Sequence, residues 1–141
     1  MKIENEGSFV KFEFKEFFDL QGRHDVVCRI EVFGYKFAGE INDIWFSWED
    51  INSFIVGLKA FDKTRKGTVE LSNMSSGSDA SPLEFKVFAT DRLGHLAIRA
   101  TLRKLIYFKD SYEISTVSVV FEIDPGSLPS IIRDFKKLFM V

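Results

Sequence analysis

The stretch IWFSWEDINSFIVGLKAFDKTRKG, residues 44–67, decides the fold, because the spacing of its apolar residues changes partway along it. Ile51, Phe54, Ile55, Leu58 and Phe61 recur at three- and four-residue intervals, the period of one helix face. Ser47 suits the capping position before that helix. Glu49 and Asp50 fall in its first turn, where the positive end of the helix dipole favours carboxylates. Lys63, Arg65 and Lys66 suit the opposite end, and Gly67 is expected to supply the left-handed residue that stops the helix. The basic cluster thus has a structural cause.

On both sides of this helix the period is two. Val10, Phe12 and Phe14 alternate with Lys11, Glu13 and Lys15, and Val26, Cys28, Ile30 and Val32 alternate with polar positions such as Arg29 and Glu31. Gly34 offers a turn into a third strand around Tyr35 to Phe46, in which Gly39 marks a bulge or a close backbone approach. Beyond Gly67 the alternation resumes at Val69 and Leu71. Ser75 to Pro82 has pure loop composition, and strands follow at Leu83 to Thr90, His95 to Leu105 and Glu113 to Ile123. Asp91 to Gly94 makes the turn between the first two of these. Asp124-Pro125-Gly126-Ser127 then caps a closing helix that buries Leu128, Ile131, Ile132, Phe135, Leu138 and Phe139. The reading is an α+β fold in a single domain over residues 1–141. It has a meandering, mostly antiparallel sheet of about seven strands, one helix inserted after the third strand and one C-terminal helix. Met1 to Gly7 is polar and acidic and enters no strand in this reading. Phe33, Phe46, Phe88 and Val120 break the alternation, so either both sheet faces are covered in places or an apolar patch is left open for a partner.

Composition bounds the chemistry. The chain has 16 Phe, two Trp and three Tyr but one Cys and two His in 141 residues. Phenylalanine packs cores and contact surfaces and does no acid, base or ligand chemistry. A net charge of -2 supplies no basic field for a phosphate backbone, so nucleic-acid binding is not expected. No apolar run approaches the roughly 20 residues that cross a bilayer, and the first residues lack the pattern of a secretory signal. A cytoplasmic protein without membrane contact is expected.

The search for catalytic constellations finds none. His24 and His95 lie in no HxxH or HExxH spacing, no CxxC exists, and no metal or cofactor is expected. Cys28 sits in an apolar alternation with no local nucleophile signature and reads as a small core residue. No GxSxG turn and no phosphate-cradling glycine motif occurs. An enzyme is therefore not expected.

Two features read as recognition elements. Trp45 and Trp48 flank a strand-to-helix junction, and tryptophan is a frequent interface anchor, although one of the two is expected to seal the core. His95, Arg99 and Arg103 form a row of donors along one strand, suited either to an acidic partner or to pairing with cross-strand carboxylates such as Glu84. With the parity-breaking Phe33 and Phe88, these are the candidate partner-binding residues.

The run Asp91-Arg92-Leu93-Gly94-His95 entering the strand to Leu102, and the passage from Phe121-Glu122-Ile123 to Phe139, resemble a group of small bacterial domains. The helix and strand of Trp48 to Leu71 are similar to that group and to the WapI-type immunity proteins of bacterial toxin systems. The resemblance covers Val26 to Phe139 and leaves the N-terminal Phe-rich strand outside. It implies a cytosolic, non-catalytic protein that binds and blocks a cognate toxin domain; it transfers no individual functional residue. The alternative reading from the Phe excess is a small-ligand-binding domain with an aromatic-lined cavity between sheet and helices. An assembly of identical chains is compatible with either.

Overall fold

The computed structural model describes residues 1–72 and 81–139; most of the loop read at Ser75 to Pro82 lies outside them. The chain runs β1 (Lys2–Asn5), β2 (Ser8–Leu20), β3 (Arg23–Gly34), β4 (Phe37–Ser47), α1 (Trp48–Thr64), β5 (Thr68–Ser72), β6 (Leu83–Ala89), β7 (Leu96–Tyr107), β8 (Tyr112–Ile123) and α2 (Leu128–Phe139). Strands β1 to β4 form one antiparallel four-stranded meander, sheet A, and β5 to β8 form a second, sheet B. The expectation of one sheet of about seven strands is corrected to two sheets of four, and the first helix follows the fourth strand rather than the third.

The added strand is β1, from the segment read as a polar terminus. Only Ile3 of its four residues is buried, so no alternation marks it. Its place is fixed by pairing to β2, Ile3 opposite Val10, and by the terminal ammonium of Met1 donating to the Phe12 carbonyl at 2.8 Å. β4 and β5, which α1 joins, do not pair, so each meander pairs only within itself.

The helix forms where its period begins. The Ser47 hydroxyl accepts from the Asp50 N–H at 3.1 Å, and Ile51, Phe54, Ile55, Leu58 and Phe61 are buried. Its stop differs from the expected one: Arg65, not Gly67, is the left-handed cap, at φ 55, with its N–H donating to the Phe61 carbonyl. The Arg65 guanidinium holds that conformation by donating to the Asp62 carbonyl at 2.8 Å and the Asp62 carboxylate at 2.7 Å. At the other helix, Asp124 accepts from the Gly126 N–H at 2.9 Å and sets a short 3-10 turn that leads into α2.

Two bulges control which residues face inwards. A register shift between Phe14 and Glu16 moves the inward set of β2 from even to odd positions, and another opposite Cys28 and Ile30 moves that of β4 from odd to even. One inserted residue reverses every side chain beyond it. Phe46, an apparent parity-breaker, is therefore fully buried beside Ile44, whereas Phe33 and Val120 stay on outer faces and are partly exposed.

The two sheets meet where β8 passes over sheet A. A Cβ on Gly34 would stand 3.3 Å from Val119, and one on Gly39 would stand 3.3 Å from Val117. Gly34 is thus needed for close approach, while the β3–β4 turn it precedes is made by Tyr35 and Lys36, at φ 53 and 72. Both helices and both sheets share one core. At its centre the Phe135 ring of α2 lies 5.2 Å from Phe12 of β2, 5.2 Å from Phe54 of α1 and 5.9 Å from Phe85 of β6, mostly edge to face. These rings fill the space in which the ligand-binding alternative would place its aromatic cavity. The clefts described lie elsewhere: one of about 900 Å³ between residues 64–67 and 89–94 has no aromatic lining, and one of about 430 Å³ is lined by Phe33, Tyr35 and Phe121 among polar residues.

Phe135→Ala is expected to cost about 3–5 kcal/mol, because it removes a ring from contact with both sheets, and urea unfolding would show this as a lower midpoint at unchanged slope. Gly57→Ala should reverse the usual helix gain of roughly 1 kcal/mol, since the new Cβ would stand 2.9 Å from Val69 Cγ1 of β5. Combining it with Val69→Ala should recover much of that loss in thermal melting.

Candidate functional site

The structure does not gather the seven candidate residues into one place. Phe33 and Trp45 lie on the outer face of sheet A, Phe88, Arg99 and Arg103 lie on the outer face of sheet B, His95 stands in the turn before β7, and Trp48 opens α1. Trp48 is the indole that packs against the core, edge-on to Phe17 and His24 at 6.3 and 6.5 Å. Trp45, 42% exposed, is the outward one.

On sheet A, Phe33 stacks on Phe9 at 5.8 Å near one end of the outer face, and Trp45 stacks on Phe18 at 4.7 Å towards the other. Between them runs an ion-pair lattice. Arg29 bridges Glu13 and Glu40, Lys11 adds to Glu13, and Lys15 donates to Asp43 at 2.6 Å. The hydrogen bond to Glu40 raises the already high pKa of the Arg29 guanidinium further.

On sheet B the cation row divides. Arg103 donates to Glu84 at 2.6 Å, and Lys86 pairs with the same carboxylate, which their hydrogen bonds hold below the usual Glu range. Arg103 is thus neutralised as the cross-strand reading expects. Arg99 makes no ion pair among the described residues and stands over the Phe88 ring, 5.5 Å from its centroid. An exposed guanidinium on an aromatic face remains available to an anion.

His95 belongs to a local turn. Asp91 accepts from the backbone of Leu93 at 2.8 Å and His95 at 3.3 Å and meets His95 Nδ1 at 2.5 Å. This contact lowers the Asp91 pKa and raises that of His95. Its stabilisation of the turn is complete between the ordinary Asp and His pKa values, and is lost as pH rises through the raised value of His95 or falls through the lowered one of Asp91. Cys28 is fully buried, and burial pushes its thiol up to about 12, so it is protonated and inert at neutral pH. Among the described residues no group of three or more His, Cys, Asp or Glu could hold a metal, and no helix is long and apolar enough to cross a membrane.

The surface that sequence reading missed is the tip of the β7–β8 hairpin. Strand β6 pairs with β7 only as far as Leu102, so residues 103–107 and 112–116 continue as a two-stranded arm. Opposed pairs Leu105 with Ile114 and Tyr107 with Tyr112 share one of its faces. Tyr107 is 74% exposed and Tyr112 59%, with Phe108 between them also exposed. The arm's signal in the sequence is the apolar alternation on both sides of the polar turn Lys109-Asp110-Ser111.

Asp91→Asn is expected to return His95 towards its ordinary pKa. A wild-type NMR titration of the ring should show protonation persisting above that value, and the variant should lose the difference.

Against known proteins, the model of the immunity protein WapI-like family matches residues 2–140. No curated protein and no solved structure matches. The match extends the resemblance read from Val26 to Phe139 back through the N-terminal strands, and these pair with the rest of sheet A as one meander. The chain belongs to the immunity protein WapI-like family.

Proposed function

We propose that this protein binds a cognate toxin domain and neutralises it by occupying its surface, without catalysis. The observation that carries this reading is the family match over residues 2–140. It is supported by where the structure spends its aromatic side chains: the core is packed with rings, yet Trp45, Tyr107 and Tyr112 are held outward on paired strands and Phe108 in the turn that joins two of them. Exposed Tyr and Trp on a rigid scaffold provide contact area at low entropic cost, as protein-binding surfaces do. Protection takes place in the cytoplasm of the producing cell, where the toxin domain meets its target.

The stoichiometry of protection tests this. When its cognate toxin domain is co-expressed with this chain, growth should be restored until the toxin exceeds the protein mole for mole, and purified components should titrate to a sharp equivalence point. Absence of protection would sink the reading. Protection by a small molar fraction of the protein would replace it with an enzymatic one.

A further inference from the structure

The acidic charge of the chain is concentrated in sheet A. Residues 1–47 hold nine Asp and Glu against six Lys and Arg, whereas residues 48–141 hold 12 against 13. The exposed arm of sheet B has no comparable bias, since Lys104 and Lys109 are matched by Asp110 and Glu113.

Within sheet A part of the free charge adjoins the exposed indole; Glu31, farther along the same face, likewise makes no ion pair among the described residues. Glu16, Val27 and Trp45 stand opposite one another across three strands, and the next row on that face is Phe18, Asp25 and Ser47. Phe18 therefore reaches diagonally to stack on Trp45, at 4.7 Å and 29°, and the two rings leave Val27 only 3% exposed. The indole is both outward and held in one orientation. Farther along the face, Glu13, Glu40 and Asp43 are engaged by Lys11, Arg29 and Lys15. Glu16 and Asp25, flanking the indole, make no ion pair among the described residues.

An immobilised indole beside two uncompensated carboxylates has the chemistry of a cation site. A guanidinium or ammonium is attracted by the tryptophan ring, and a guanidinium can also donate to carboxylate oxygens in charge-assisted hydrogen bonds. A carboxylate-rich partner would be repelled, and a purely aliphatic one would bury two charges without compensation. We infer that the Trp45–Phe18 shelf, with Glu16 and Asp25, docks an arginine- or lysine-bearing segment of the toxin domain. The inference rests on the toxin-binding reading and adds to it a location and the chemistry of the opposing surface.

Calorimetric titration of the cognate toxin domain into this protein, at low and moderate salt, separates the outcomes. Trp45→Ala should weaken binding by about tenfold or more, as loss of an interface anchor does. The double variant Glu16→Gln, Asp25→Asn should weaken it roughly severalfold and flatten its salt dependence, the mark of lost electrostatic steering. If Trp45→Ala proves unstable in thermal melting, Glu16→Lys, at an exposed position, must still slow association in stopped-flow mixing. Wild-type binding with all variants unchanged would overturn the shelf and leave the toxin-binding reading intact. Failure of the wild type to bind would overturn both.

Discussion

The structure depends on one cluster of rings. Phe135 closes α2 onto Phe12 of sheet A, Phe85 of sheet B and Phe54 of α1, so a single side chain touches every layer of the molecule. Edge-to-face ring pairs add about 0.5–1.5 kcal/mol each beyond the area they bury, and their geometry resists sliding in a way that aliphatic contacts do not. Two sheets that share no hydrogen-bonded strand pair are fixed relative to each other chiefly by such packing, aided by the passage of β8 over Gly34 and Gly39. The helix between the sheets is then both a connection and a wall of the core.

A filled interior moves the question of function to the outside. With Phe12, Phe46, Phe54, Phe85, Phe135 and Phe139 fully or almost fully buried, the other aromatics can act only where they are exposed. The bulges in β2 and β4 make that division, because each inserted residue exchanges inner for outer positions and so places Trp45 outward while Phe46 turns in. What remains at the surface is an acidic sheet with a fixed indole and a hairpin arm with tyrosines at its end. A protein that works by contact needs such surfaces more than it needs a pocket.

Much of the fold was legible because periodicity reports burial directly. The helix of Trp48 to Thr64, its Ser47 cap, the closing helix and seven of the strands could be read from spacing alone. β1 could not, since one buried residue in four makes no period and backbone pairing leaves no trace in composition. The candidate site was legible only residue by residue. Trp45 and Arg99 do face outwards, and Arg99 makes no ion pair among the described residues, but Arg103 is answered by Glu84, Trp48 packs against the core and Phe46 is inside. The arm escaped because its two strands were recognised separately, and exposure at a hairpin tip depends on where the neighbouring strand stops.

The sequence by itself determined which segments are helix and which are strand, that the core is aromatic, and that Cys28 is one of its small members. Local spacing carries that information, because each element buries one face whatever it packs against. Tertiary structure alone decided that the strands divide into two sheets, that a left-handed Arg65 ends the helix ahead of Gly67, and which aromatic residues meet water. These outcomes depend on pairing partners, register shifts and the approach of distant strands, and a chain read one residue at a time encodes none of them locally.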